Sequence, residues 1–454
     1  MSAQAHSTLP SNPGGATTPG ALTPTNPSQQ PNLRGHLLVL DGLRGMAILM
    51  VLLVHFLGNT LPTNGFERAI VLVAGYGTYG VELFFVLSGF LITGILYDAR
   101  NSPHYFRNFF MRRVLRIFPL YYGVLVLLFF VAPLIPPVQG PTLDYLVDRQ
   151  AWAWLYAVNI HIAMDGEWSL SYLNHFWSLS IEEHFYFFWP LAVFLLARQP
   201  RALVVVSLAV SLCAMLARLG GSLMGLSWWI TGVLTPFRLD GLALGAFLAV
   251  TARQPRGLQQ LARALPTVVA LVAGLLAITF AWTHLVSREG PQVVGTIRAV
   301  LIVMSLACLL LWVLIAPQRS TTSRIFRSRS LVFLGTYSYG LYVYHHFISY
   351  YLTINRTELE LAQWLGSHSA AVAVQATLGA SASLALAYLS YELYEKRFLR
   401  LKRLFKTDEE PASPTCESAM RTAGNRVAWP SPASLADFGS RNRAAGTANR
   451  PDAR

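Results

Sequence analysis

Ionisable side chains lie inside stretches of this sequence that are otherwise apolar enough to cross a membrane. The first stretch contains Asp41, Arg44 and His55, and the fourth contains Glu182 within HFWSLSIEEHFYFFWP. An ionisable group in a membrane-spanning helix is costly unless it is paired or hydrated, so it marks a functional site by default. These residues therefore predict chemistry within the membrane.

Arg44 and His55 have a spacing that would place both side chains on one face of the first helix. Eleven positions correspond to about three helical turns, or about 16 Å along the axis. A guanidinium at one level and an imidazole at another would suit an anionic cofactor whose reactive end reaches the histidine. Alternatively, Arg44 neutralises Asp41 or Glu82, and His55 hydrogen-bonds a neighbouring group.

The fourth and sixth apolar stretches contain further charged residues. Glu182 would orient an imidazole or take up its proton, as carboxylates do beside histidines in acyl transfer. The alternative is a buried ion pair between Glu182 and Arg238. For Arg238 and Asp240, in RLDGLALGA, ion pairing and close helix packing next to small residues are sufficient explanations.

The segment LGTYSYGLYVYHHF combines aromatic rings, hydroxyl groups and two histidines. It would line a hydrated sugar-binding mouth, or form an aromatic belt at the membrane interface. The belt accounts for the tyrosines but not for His345 and His346. Because adjacent helical residues point to different faces, and no paired cysteines or His-x-x-His spacing occur, we expect no metal site.

A cluster of arginines, Arg112, Arg113 and Arg116, lies at the start of the third apolar stretch. Membrane topology or anionic lipid would account for its charge. A more specific hypothesis is that these guanidinium groups bind the phosphates of a cofactor, because one guanidinium can form two hydrogen bonds to a phosphate.

The composition places the chain among membrane proteins. It has 54% hydrophobic and 13% charged residues, whereas soluble domains usually carry about 25% charged residues. The formal net charge of +13 would suit nucleic acid. However, the arginines occur mostly in short clusters between apolar runs, as membrane topology requires, so we expect no nucleic-acid partner.

The apolar runs predict an all-α polytopic membrane protein with about ten transmembrane helices. The stretch 151–164 is too short to span and is predicted to be re-entrant or interfacial. Residues 1–34 and 406–454 are predicted to be disordered tails, and 35–405 to be one membrane domain. The predicted spans are 37–57, 69–98, 117–137, 174–197, 202–221, 227–251, 265–285, 297–316, 331–352 and 369–394.

The charges of the connecting loops predict the orientation of these helices. Every strongly basic loop falls on one side if 151–164 does not cross the membrane. Because basic loops stay in the cytoplasm, both termini are expected there. We therefore expect a multi-pass protein of the inner (plasma) membrane.

Several ordered motifs resemble the acyltransferase-3 family of integral membrane O-acyltransferases over roughly residues 35–405. The resemblance is carried by LDGLRGMAILMVLLVHF, GVELFFVLSGFLITGIL, FFMRRVLRIFPLYY, HFWSLSIEEHFYFFWP, RLDGLALGA, YSYGLYVYHHF and YELYEKRF. The chain departs from the family pattern at His184, Phe347 and Arg397, which leaves the expected chemistry intact. No hydrolase-like domain follows in this sequence, so the membrane domain is expected to act unaided or with a separate partner.

The resemblance implies transfer of an acyl group, usually acetyl, from cytoplasmic acyl-CoA to a hydroxyl of a carbohydrate or glycolipid. His55 would act as the general base on that hydroxyl, or would carry the acyl group itself, and Glu182 would orient or polarise the step.

The family pattern also assigns binding roles. Arg44, Arg113 and Arg116 would bind the CoA donor, and Trp177, Tyr339 and His345 are the residues expected to contact the acceptor. Acyl-CoA would be a co-substrate, no permanently bound cofactor is expected, and membrane lipids would surround the protein.

A transporter or flippase for a small anionic or glycan substrate is the main alternative, since such proteins also contain intramembrane His, Glu and Arg. Transporters often show inverted repeats and interrupted helices at matching positions, and neither is clear in this sequence. A membrane scaffold would leave the spacing of Arg44 and His55 without a purpose.

Overall fold

The computed structural model describes residue 33 and residues 37–135, 140–196, 198–285 and 292–405. Except for Leu33, the predicted tails 1–34 and 406–454 lie outside the described residues. Every regular element in the described part is helical, which confirms the predicted all-α class.

The helices are numbered in chain order. The first nine are α1 (Leu38–Leu53), α2 (Gly65–Gly75), α3 (Tyr79–Asp98), α4 (Tyr105–Val126), α5 (Pro141–Asp148), α6 (Gln150–Trp154), α7 (Val158–Asp165), α8 (Phe176–Leu196) and α9 (Pro200–Leu223). The others are α10 (Trp228–Thr231), α11 (Thr235–Ala252), α12 (Gly257–Leu285), α13 (Gln292–Ile315), α14 (Thr321–Phe326), α15 (Arg329–Thr336), α16 (Ser338–Ile354), α17 (Thr357–Leu365), α18 (His368–Ser390) and α19 (Lys396–Leu401).

Nine helices in the described part of the chain are long and apolar enough to cross a membrane. Nine of the ten predicted spans correspond to them. The remaining prediction, 331–352, is divided at Tyr337 into α15 and α16. Each of these two helices is shorter than any of the nine spans. α16 has 17 residues, or about 25 Å. The predicted non-spanning stretch 151–164 contains nearly all of the short helices α6 and α7 and the turn between them.

The third span begins earlier than the sequence indicated. It was expected at 117–137, but α4 starts at Tyr105, two residues after Pro103, because no proline or glycine lies between Tyr105 and the apolar run. The arginines 112, 113 and 116 are therefore helical residues with fixed directions, rather than loop residues at the end of a span. This difference decides which of them reach the interior.

α3 and α11 cross at glycines, and this crossing brings polar residues of both helices together. A Cβ added at Gly89 would lie 1.8 Å from the Leu242 carbonyl oxygen, and one added at Gly245 would lie 2.1 Å from the Val86 carbonyl oxygen. Only glycine permits such close backbone contact, as is typical of small residues at helix interfaces in membranes.

Replacing Gly89 by alanine is expected to lower the thermal unfolding temperature, because the new methyl group forces α3 and α11 apart. Overpacking of this kind costs about 1–3 kcal/mol. Circular dichroism of the detergent-purified protein measures the shift. Gly274→Ala is the matched control, since a Cβ there meets nothing within 4 Å. Equal unfolding temperatures for both variants would show that α3 and α11 can move apart at Gly89 without loss of stability.

Candidate active site

One cavity between the helices, which we call the arginine cavity, has about 800 Å³ of empty space, including the part open to solvent. Five helices line it: α1, α3, α4, α8 and α16. Its charged lining residues are Arg44, Arg113, Arg116, Glu182 and Glu183. Three guanidinium groups facing one space make a site suited to a ligand with several negative charges.

Two of these arginines are held loosely by their neighbours. The Arg44 guanidinium is 3.6 Å from the Asp41 carboxylate, and the Arg113 guanidinium lies 4.9 Å from the centre of the Tyr186 ring. Arg116 has no ion pair or hydrogen bond within the described residues. None of the three makes a bidentate pair with a protein carboxylate there, so their donors stay available for a ligand.

Glu182 lies in the arginine cavity, where the Ser88 hydroxyl donates a hydrogen bond of 2.7 Å to it. The alternative prediction, an ion pair with Arg238, is wrong: Arg238 pairs with Glu82 of α3 instead. His55 is not among the residues that line this cavity. The structure therefore does not bring Glu182 and His55 to one space.

Four histidines form a cluster at one end of the interior. The His55 ring centre is 4.7 Å from that of His345 and 5.3 Å from that of His346. His175, just before α8, lies 5.6 Å from His345 and 4.7 Å from His346, measured between ring centres. His55 belongs to a π-helical segment, Val54–Gly58, that continues α1. Such segments are frequent at functional sites.

Each imidazole in the cluster has one ring nitrogen near a backbone carbonyl oxygen. Nδ1 of His55 is 2.8 Å from the Val51 oxygen, and Nδ1 of His345 is 2.7 Å from the Tyr342 oxygen. Nε2 of His346 is 3.2 Å from the Ser171 oxygen, and Nε2 of His175 is 3.1 Å from the Val343 oxygen. Because a carbonyl oxygen only accepts, these nitrogens donate, and in a neutral ring the opposite nitrogen bears a lone pair.

The lone-pair nitrogens have almost no partners of their own. Nε2 of His345 and Nδ1 of His346 and His175 are buried without a hydrogen bond in the described part of the chain. The cluster therefore presents proton acceptors to whatever occupies the space between its rings.

The same geometry bears on metal binding. The candidate ligand atoms of His55, His345 and His346 lie within 4.8 Å of one another, and three imidazole nitrogens form a known catalytic zinc set. His345 and His346 point to different faces of α16, as expected, but both rings still lie next to His55. Their directions differ by about 100°, and His55 lies between them, so both rings reach it. That no metal is bound stays a prediction.

Two hydroxyl-bearing residues, Ser178 and Tyr342, lie where the arginine cavity meets the histidine cluster. Ser178 and Tyr342 line that cavity, and their hydroxyl oxygens are 2.5 Å apart. The Tyr342 hydroxyl also donates to the His175 carbonyl oxygen at 3.0 Å, and its ring centre is 5.5 Å from that of His345. The arginine cavity thus ends directly against the histidine cluster.

The predicted acceptor-contacting residues are dispersed. Tyr339 lines the arginine cavity, and its hydroxyl donates to the Ile117 carbonyl oxygen at 2.8 Å. His345 belongs to the histidine cluster. Trp177 does not line the arginine cavity, and its ring packs edge-to-face against Phe85, with the ring centres 6.2 Å apart.

The sequence interpretation did not assign roles to Ser178, Tyr342 or His175. In the sequence, the only indication of a functional role for these residues was that they lie within the motifs HFWSLSIEEHFYFFWP and YSYGLYVYHHF. Hydroxyl-bearing residues are too common in membrane helices for type alone to select these. Packing of α8 against α16 selects them, through contacts such as that between Ser178 and Tyr342.

The described part of the chain is a polytopic helical protein in which a cavity lined by arginines ends next to a histidine cluster. The chain belongs to the acyltransferase-3 family. The sequence model of that family, described as an acyltransferase domain, matches residues 37–392.

Named relatives of this chain are bacterial O-acetyltransferases. It is 27% identical over 373 residues to the peptidoglycan O-acetyltransferase OatA of Listeria monocytogenes, covering 78% of this chain and 54% of that protein. It is 28% identical over 331 residues to the putative peptidoglycan O-acetyltransferase YrhL of Bacillus subtilis, covering 68% and 48%. The O-acetyltransferase OatA of Staphylococcus aureus is 28% identical over 325 residues, covering 68% and 49%.

The chain therefore spans about half the length of the curated relatives it matches. No solved structure matches it.

Removing the Arg238 side chain is expected to destabilise the protein by about 3–5 kcal/mol, because Glu82 would remain as a buried unpaired charge. Both residues are at most 6% exposed. The double variant Glu82→Leu with Arg238→Met should recover most of this loss. Thermal unfolding in detergent measures the single variant Arg238→Met and the double variant. If the double variant is as unstable as Arg238→Met alone, the Arg238–Glu82 pair does not have a purely structural role.

Proposed function

We propose that this protein is a membrane O-acyltransferase that moves an acyl group, acetyl by default, from acyl-CoA to a hydroxyl of a cell-wall carbohydrate. The observation that carries the proposal is the meeting of the arginine cavity with the histidine cluster. The first supplies an anion-binding site, and the second supplies lone pairs that accept a proton. The names of the relatives support acetyl transfer and a peptidoglycan-like acceptor.

The donor would occupy the arginine cavity. CoA carries phosphate groups at one end and a thioester at the other, so its two ends need different surroundings. Arg44, Arg113 and Arg116 line the cavity and would bind phosphates through charge-assisted hydrogen bonds. The thioester would then extend toward Ser178 and Tyr342, next to the histidine cluster.

Glu182 would act on the donor side of the reaction. Its carboxylate already accepts a hydrogen bond from Ser88, and it has a second oxygen with which to accept from an amide N–H of the donor's pantetheine arm. This is a positioning role, and it differs from the direct contact with His55 that the sequence suggested.

His55 would remove the proton from the acceptor hydroxyl through Nε2, because Nδ1 is near the Val51 carbonyl oxygen. The hydroxyl oxygen forms a bond to the acyl carbon, the carbon–sulfur bond breaks, and the proton passes to the leaving thiolate. Alternatively, Nε2 attacks the thioester first, and the hydroxyl then takes the acyl group from the histidine. The two routes use the same lone pair.

The arginine cavity would open toward the cytoplasm, where acyl-CoA is found, and both termini would lie on that side of the inner (plasma) membrane. The excess of arginine in alternate loops supports this orientation. The acceptor would approach from the opposite face.

Replacing Arg116 by alanine is expected to weaken acyl-CoA binding about 10- to 100-fold. Loss of a hydrogen bond to a charged group costs about 1.5–3 kcal/mol. Titration calorimetry with CoA measures this change in purified protein. Arg107→Ala is the control, because Arg107 is an exposed residue of the same helix and its loss changes the net charge equally. Unchanged affinity in Arg116→Ala would contradict the phosphate role.

Replacing His55 by alanine is expected to abolish acyl transfer without preventing membrane insertion, because the proton acceptor is lost. Transfer of radiolabelled acetyl from acetyl-CoA to cell-envelope material measures the effect, and His104→Ala, at an exposed position, is the control. Retained transfer would exclude both routes.

Mass spectrometry of the peptide containing residue 55, after incubation with acetyl-CoA alone, distinguishes the routes: an acetylated histidine supports the two-step one. Purified protein that moves substrate across liposomes without cleaving acetyl-CoA would favour the transporter.

A further inference from the structure

A second, smaller cavity is lined by His55, which does not line the arginine cavity. We call it the polar cavity. Its empty volume is about 280 Å³, and seven of its nine lining residues carry polar groups. The seven are His55, Asn59, Thr60, Ser349, Thr353, Glu358 and Gln375. Asn59 and Thr353 are exposed, so the cavity opens at their side, whereas Ser349, Glu358 and Gln375 are buried.

Most polar groups of this cavity are hydrogen-bond acceptors toward a ligand, whereas Gln375, whose carbonyl oxygen already accepts from the Thr357 hydroxyl at 2.6 Å, presents its amide N–H groups. The hydroxyl of Thr60 already donates to the Leu57 carbonyl oxygen at 2.8 Å, and that of Ser349 donates to the His346 carbonyl oxygen at 3.3 Å. Each hydroxyl is left with lone pairs only. Nε2 of His55 also has a lone pair when the ring is neutral. A ligand that satisfies this set must bring several donors.

Glu358 is the strongest acceptor in the set. It is 8% exposed, and no residue in the described part of the chain donates a hydrogen bond to its carboxylate or forms an ion pair with it. A buried carboxylate without a partner is costly. Its place in the first turn of α17 lowers that cost, because the positive end of the helix dipole favours negative charge.

We propose that the polar cavity binds the hydroxyl-bearing edge of a sugar that is neutral or positively charged, and that Glu358 selects against acidic sugars. Neighbouring hydroxyls of a sugar are the donors that this acceptor-rich set requires. The hydroxyl nearest His55 would be the one that is acylated, while Glu358 would accept from an adjacent one. The inference rests on the proposed function, because it identifies the acceptor's binding site.

Neutralising the carboxylate is the direct test, and it does not require acyl transfer. The variant Thr353→Cys, in a chain with Cys213, Cys308 and Cys416 replaced by alanine, places a thiol at the mouth of the cavity. A positively charged methanethiosulfonate should label it faster than a negatively charged one. Because a carboxylate in the cavity attracts the positive reagent and repels the negative one, the two labelling rates are expected to differ at least several-fold.

The ratio should fall toward one when Glu358→Gln is added, because glutamine keeps the shape and removes the charge. Glu360→Gln is the matched control: Glu360 is an exposed residue of the same helix, and its replacement should leave the ratio unchanged. If Glu358→Gln and Glu360→Gln have equal effects, the charge of Glu358 does not act in the cavity and the proposal is wrong.

Protection from labelling tests the ligand class in the same purified protein. N-acetylglucosamine tetrasaccharide should slow the labelling of Thr353→Cys several-fold, and oligogalacturonic acid of similar length should not. In Glu358→Gln, protection by the neutral sugar should weaken and the difference between the two sugars should shrink. Failure of both sugars to protect, or stronger protection by the acidic one, would overturn the proposed selectivity.

The outcome of these measurements can be distinguished from the outcome of a test of the proposed function. Cleavage of acetyl-CoA by the unmodified protein tests acyl transfer without reference to the polar cavity. Acetyl-CoA cleavage without sugar protection would refute the acceptor site alone. Charge-dependent labelling with sugar protection but without cleavage would refute the acyltransferase proposal and leave the carbohydrate site in place.

Discussion

The interior of this protein depends on one constraint, which is that a polar group within a bilayer must find its partner inside the protein. Two buried ion pairs meet this requirement and connect three helices. Arg238 of α11 pairs with Glu82 of α3, and Arg218 of α9 pairs with Asp240 of α11 at 2.5 Å. Because truncation of either partner would leave a buried charge, these pairs hold the helices in one arrangement. The polar groups that remain without such partners are then available to a ligand.

Many of those remaining groups line two cavities near the histidine cluster, and the two linings differ in charge and in hydrogen-bonding character. The arginine cavity offers positive charge and donors, whereas the polar cavity offers acceptors and one carboxylate. An anionic donor molecule and a hydroxyl-rich acceptor would each enter only the cavity whose groups complement its own. The two substrates would then meet at His55 without competing for space. This division suits a reaction whose substrates come from different sides of a membrane.

Local departures from regular α-helix place the key imidazole and a buried carboxylate. His55 lies in the π-helical segment Val54–Gly58, and Glu395 lies in a second one, Tyr391–Glu395. A π-turn contains an extra residue, which shifts the directions of the side chains that follow it. Arg44, in the regular part of α1, and His55, in the π-helical segment, line different cavities.

The order of apolar runs and the positions of charged residues determined the all-α membrane class and the presence of charged side chains within the membrane-spanning helices. They did so because hydropathy and helical periodicity are local properties of the chain. Only the tertiary structure decided that Glu182 lies away from His55, that His345 and His346 both reach His55, and that Glu358 is buried. These are contacts between helices distant in sequence, and they depend on crossing geometry and close packing, which no single helix encodes.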